Sequence, residues 1–162
     1  MRTVCAVTIA LLALAPIAGR AADPNTAISQ VRTAFSHVQS VQLVEKFPSG
    51  AVATVQFSPS APARTATAGV SKYQLLLDYA TQPGGAQSGE VSDQFTVTSL
   101  GHKSLYGMPV DGYRLIDQTG AIETLWVSAN ALPIAMHVEA YGESIDVLYG
   151  DYNNPTFFAT KP

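Results

Sequence analysis

The chain has 162 residues, 13% of them charged, with 12 acidic against 9 basic side chains and a net charge of −3. Two of the basic residues, Arg2 and Arg20, fall in the leader described next, so the remainder is more acidic still. That balance excludes nucleic-acid binding, which needs a cationic stripe, and argues against electrostatic docking on anionic lipid.

Met1-Arg2 precedes an apolar stretch, Val4 to Ala18, followed by Gly19-Arg20-Ala21-Ala22. A basic start, a short apolar run and small residues before a polar segment make a secretory signal peptide. The run is shorter than the ~20 apolar residues a membrane-spanning helix needs. Cleavage is expected after Ala21, with Gly19 at the third position before the cut. Residues 1–21 are then the signal peptide and residues 22–162 a single domain, periplasmic or secreted. Cys5, the sole cysteine, lies inside the apolar run, so neither disulfides nor thiolate metal sites serve the mature chain.

Pro24 to Val38 reads as an amphipathic helix, with Ile28, Val31, Phe35 and Val38 at helical spacing and Gln30, Arg32, Thr33 and Gln39 between them. Asp23 or Asn25 caps it, and Pro24 suits its first turn. From Ser40 the period becomes two: Leu43, Glu45 and Phe47 alternate with Gln42, Val44 and Lys46. Pro48-Ser49-Gly50 turns the chain, and Ala53, Val55 and Phe57 share one face of a second strand, which makes a hairpin. The prolines of Ser58 to Pro62 break the ladder, and Arg64 to Ala68 reads as a short edge strand.

Ser71 to Thr81 stays open between two readings. Tyr73, Leu75, Leu77 and Tyr79 alternate as in a strand, whereas the leucine run, the lack of β-branched residues and a Ser71 cap favour a short helix. Ala86 to Asp93 reads as a polar loop. From Phe95 to Tyr152 come alternating strands joined by short connections rich in Gly, Pro, Asn and Asp, which implies an antiparallel meander. Trp126 shares a face with Ile122 and Thr124, while Leu125 and Val127 point the other way.

Gly107-x-x-x-x-Gly112-Tyr113-x-Leu115, Leu125-Trp126-Val127, Leu132-Pro133 and the closing Asp151-Tyr152-Asn153 resemble a progression found in the outer-membrane lipoprotein carrier (LolA-like) superfamily. Pro62-x-Arg64 is similar to a further segment of those carriers. Ser128 stands where the family commonly has an acidic residue, and the chain is shorter than the well-known carriers, which implies a smaller cavity. The resemblance implies an α+β, mainly antiparallel β fold: a curved half-barrel-like meander sheet with an N-terminal helix and a short central helix on its concave face.

With so few helices, the apolar face of such a sheet is expected to stay partly uncovered, and an open apolar concavity is a binding site. Its expected lining is Leu43, Val55, Phe57, Tyr113, Leu115, Trp126, Ile134, Met136, Val138, Ile145, Val147 and Tyr149. The ligand is then a lipid, acyl chain or lipidated peptide, held without a cofactor or metal by a monomeric, non-enzymatic carrier with transient membrane contact. The alternative is a cell-envelope interaction module using its strand edges.

Catalytic readings are weaker. His137, Glu139 and Asp146 share a polar strand face, as His102 does on another, and such residues ordinarily face solvent. Gly142-Glu143-Ser144-Ile145-Asp146 lacks the final glycine of a nucleophile elbow and sits between two strands. The sequence carries no metal-ligand spacing, P-loop or dinucleotide fingerprint.

Overall fold

The structure, a computed structural model, describes residues 23–59, 72–85 and 89–153. The signal peptide, the Arg64–Ala68 strand, the Pro62-x-Arg64 segment and the Ser71 cap all lie outside the described residues.

Helix α1 (Pro24–Ser36) begins as its sequence predicts, with Asp23 as the cap: its Oδ2 accepts from the Thr26 N–H at 3.1 Å. Strands β1 (Val41–Lys46) and β2 (Val52–Phe57) form the expected hairpin. Residues Lys72–Thr81 form helix α2, which settles the ambiguity in favour of the leucine-rich helical reading. The polar stretch before the meander is not all loop, because Val91–Gln94 makes one helical turn, α3, with Val91 buried. The meander follows as β3 (Phe95–Leu105), β4 (Met108–Asp117), β5 (Ile122–Val127), β6 (Pro133–Ala140) and β7 (Glu143–Gly150).

All neighbours pair antiparallel in one seven-stranded open sheet, ordered β2-β1-β7-β6-β5-β4-β3. The N-terminal hairpin joins the meander through β1 and β7, with Leu43 opposite Tyr149 and Glu45 opposite Val147. The sheet does not close, and both helices lie on one face of it. There α2 packs on β6 and β7, and α1 packs on α3 and β3.

That inner face is the core. Leu43, Leu115, Leu125, Val138 and Val147 are 0% exposed, as are Ile28 of α1 and Leu76 and Ala80 of α2. The concave face, expected to stay partly uncovered, has its centre filled by α1 and α2. Phe35 meets Tyr149 edge-on with ring centroids 6.0 Å apart, a geometry aromatic pairs favour. Polar tethers hold α2 down, since the Tyr149 hydroxyl donates to the Ala80 carbonyl at 2.7 Å and the Tyr79 hydroxyl to Asp117 Oδ2 at 2.8 Å.

Two residues of the resemblance explain one another. Gly112 of β4 pairs with Trp126 of β5, and a Cβ at Gly112 would overlap the six-membered ring of the indole. The missing side chain lets the indole lie over the β4 backbone, an arrangement by which aromatics stabilise glycine in sheets. Gly112→Ala is expected to lower stability by about 1–3 kcal/mol through overpacking. Urea denaturation followed by Trp126 fluorescence measures this, and an unchanged midpoint would refute the contact.

Candidate functional site

Among the described residues, a cleft of about 350 Å³ opens on the helical side between α1 and the β3–β5 end of the sheet. Helix α1 contributes Ala27, Gln30 and Val31 to it, β3 contributes Ser99, Gly101 and His102, and β4 contributes Asp111 and Tyr113. The end of β5 and the turn after it supply Val127, Ser128, Ala129 and Ala131. Ala27, Val31, Tyr113 and Val127 belong to the buried core as well as to the cleft wall, so the cleft opens directly onto the interior. Its rim is polar: His102 and Asp111 are cross-strand partners, with the imidazole Nδ1 against the carboxylate Oδ1. Burial, and secondarily the charge of Asp111, push the Tyr113 hydroxyl above its ordinary pKa, so it enters the cleft as a neutral group. An apolar floor with a few convergent polar groups is the usual composition of a small-molecule pocket.

Ser128 shapes the back of the cleft. Its amide donates to the Leu132 carbonyl at 2.9 Å, and its hydroxyl accepts from the Leu132 amide at 3.3 Å. The serine thus closes the β5–β6 turn.

Of the predicted lining, Tyr113 alone reaches the cleft. Leu43, Leu115, Met136, Val138, Ile145, Val147 and Tyr149 share the inner face, as expected, but lie packed within the core. Phe57 packs against the same core from the edge strand. Val55 has the right face but is 39% exposed, because β2 ends the described sheet. Ile134 is half-buried at a register irregularity, where β6 advances from Pro133 to Ala135 while β5 advances one residue. Trp126 does not belong to the set, since the alternation that buries Leu125 and Val127 turns it to the helix-free face.

A buried polar clasp near the cleft went unread in the sequence. Arg32 of α1 is 5% exposed. Its Nε donates to the Gly84 carbonyl at 2.6 Å, Nη1 to the Gly89 carbonyl at 3.2 Å and Nη2 to Gln94 Oε1 at 2.7 Å. The Gly84 amide in turn donates to Glu123 Oε2 at 3.1 Å. Gly84 has φ +77°, and a Cβ there would press on Ile28 at 2.8 Å, so only glycine fits between the two helices' connections. Glu123 is 0% exposed, and its Oε1 has no hydrogen-bond partner. Burial raises its pKa to about 8, against the lowering effects of the Gly84 amide and Arg32. Glu45, also on the inner face, is raised by burial to about 7.

On the helix-free face, His137 Nδ1 lies 2.7 Å from Asp146 Oδ1 and Nε2 lies 3.3 Å from Glu139 Oε1. The alternation of β6 and β7 anticipates that pairing, and the group is open to solvent. Among the described residues, no three His, Cys, Asp or Glu side chains gather as a metal site, and no helix is long and apolar enough to cross a membrane.

Protein-family models and curated protein sequences return no match to the chain. Solved structures do. The lipoprotein LppX of Mycobacterium tuberculosis superposes with a TM-score of 0.56 at 10% identity, over 80% of this chain and 94% of LppX. The two chains share a fold. LprF of Mycobacterium bovis aligns at 13% identity over 82% of this chain and 93% of its own, with a TM-score of 0.49. The likeness to LppX is one of fold alone.

Proposed function

We propose that the protein is an exported, non-enzymatic carrier or binding protein for an acyl chain, a lipid or a lipidated peptide. Residues 1–21 act as its cleaved signal peptide and residues 22–162 as one monomeric domain in the periplasm or outside the cell. The observation that carries this reading is the cleft under α1, four of whose wall residues also belong to the core. A ligand tail entering there meets apolar side chains at once, and each methylene it buries contributes about 0.8 kcal/mol. Outward movement of α1, an amphipathic helix, extends the cleft toward Leu115 and Leu125. The polar rim, with Gln30, His102 and Asp111, suits a head group left at the surface.

Mass spectrometry of the protein exported from its native leader and extracted without detergent is expected to show co-purifying lipid. A fatty-acyl fluorophore is expected to bind saturably, and Ser99→Phe, which places a ring in the cleft, to weaken that binding about tenfold. Absence of both lipid and saturable probe binding refutes the proposal.

A second reading has its own observation. The edge strand β2 exposes Val52 at 60% and Val55 at 39%, and exposed apolar edges recruit partner strands. Stoichiometric capture of an envelope protein, lost on Val52→Lys and accompanied by no acyl-probe binding, is the outcome that favours an interaction module.

A further inference from the structure

We propose that the helix-free face of the sheet carries a second binding site, for an anionic amphiphile, in the pocket roofed by the β3–β4 hairpin. The site is separate from the cleft under α1, on the opposite side of the sheet.

The hairpin is built to overhang that face. Its ladder slips between Ser99 and Gly101, after which Gly101 stands opposite Gly112. Gly101 has φ +77°, so both strands bend where neither has a side chain. Beyond the bend the tip carries Lys103, Leu105 and Tyr106 over the sheet. There they enclose about 210 Å³ together with Trp126 of β5, Ala135 of β6 and Leu148 of β7. Lys46 of β1 closes the far side. The hairpin tip thus reaches across the sheet from one edge toward the other.

The charge of this pocket runs against that of the chain. In an acidic protein whose lysines are Lys46, Lys72, Lys103 and Lys161, two lysines flank this one pocket. Asp146, the acid that also lines it, stands opposite Lys46 in register but turns its Oδ1 to His137 Nδ1 at 2.7 Å. Glu139 lies 3.3 Å from the other nitrogen of the same imidazole. Among the described residues neither lysine forms an ion pair with a carboxylate. Lys103 instead rests 3.3 Å from the centroid of the Trp126 ring, a cation–π contact that holds its ammonium over an apolar floor. Two ammonium groups around Trp126, Ala135, Leu105 and Leu148 match one anionic head joined to an apolar tail. The larger trough beside it, about 650 Å³, shares His137 and leaves room for the tail to continue. Tyr106, 68% exposed at the turn, lines the smaller pocket beside Lys103 and Leu105.

Trp126, the single tryptophan, reports on the site directly. Dodecyl phosphate and dodecanoate, titrated below their micelle concentrations, are expected to change Trp126 emission saturably as the anion draws Lys103 from the ring. Dodecyltrimethylammonium, with the same tail, is expected to give no saturable change. Lys46→Ala leaves the Lys103–Trp126 stack in place and is expected to weaken the anionic probes about tenfold, the loss of one charge-assisted contact. Added salt weakens them further. Gln30→Phe, which crowds the cleft under α1 from the helix and leaves the β3 bend untouched, is expected to leave the signal unchanged. Equal responses to anionic and cationic probes, indifference to Lys46→Ala, or loss of the signal in Gln30→Phe would each overturn the assignment, the last by tracing it to the other cleft.

Discussion

Raising the pH from about 5 to about 9 is expected to lower the unfolding midpoint progressively, and Glu123→Gln to abolish most of that loss. Glu123 stands on the inner face of β5, across from Leu115 on one side and Val138 on the other. One carboxyl oxygen takes the Gly84 amide and the other has no partner. A negative charge there would sit among apolar side chains with its hydrogen-bonding capacity half met, which is why burial lifts the group to about 8 from an ordinary 4.5. Between those values the folded protein keeps a proton that the unfolded chain releases, so stability falls as pH rises. The contribution is complete below the unfolded pKa and lost as pH climbs through about 8. Its size is on the order of 4 kcal/mol.

Glu45, raised by burial to about 7, adds a slope of the same sign over a narrower window. Burial would raise Asp117 as well, but bonds from Thr119, Tyr79 and the Ala121 amide outweigh it and hold the group low, so it acts only in more acid solution. Glutamine at position 123 keeps the shape and the acceptor for Gly84 without an ionisable proton. Its midpoint is expected to show only the Glu45 slope, and Glu45→Gln combined with Glu123→Gln to flatten that too. Thermal unfolding across the range measures this. A wild-type midpoint that rises toward pH 9 would contradict it.

Much of the fold is legible in the sequence because the strands keep strict alternation over an apolar face. Met136 and Val138, or Ile145, Val147 and Tyr149, announce one buried side by parity alone. The same parity already sets Trp126 apart from Leu125 and Val127, and it marks Glu123 as an acid in an apolar row, the signal by which it was findable. Glu45, in the row of Leu43 and Phe47, carries the same mark. Other features are not local. Arg32 reads as a polar-face residue of α1, yet it is buried because a segment about fifty residues away in sequence, from Gly84 to Gln94, lies across it. Periodicity within one helix has no access to such a partner. Nor does it show that Val55 falls on an edge strand, that β6 gains a residue at Ile134, or how well two helices cover a sheet. The last point decides the candidate site, since Leu76, Ala80, Ile28 and Phe35 fill the space expected to remain open.

Arg32→Ala is expected to cost about 3 kcal/mol of stability, a fall of roughly 10 °C in the unfolding midpoint. The substitution deprives the Gly84 and Gly89 carbonyls and the Gln94 side chain of one shared donor group, and it takes away the positive charge that favours ionised Glu123. Arg32→Lys is expected to recover little, because a single ammonium cannot span three acceptors that a planar guanidinium reaches from one position. The effect on binding should have the opposite sign. Arg32 ties α1 to the connection between α2 and β3, and α1 covers the cleft. With the tie cut, less free energy is needed to lift the helix, so a fatty-acyl probe is expected to bind several-fold more tightly at temperatures where the variant remains folded. A residue that only stabilised the core would lower the midpoint and leave the probe's dissociation constant alone or weaken it. Measuring both quantities on the same variant therefore separates a lid over a ligand site from an ordinary packed helix.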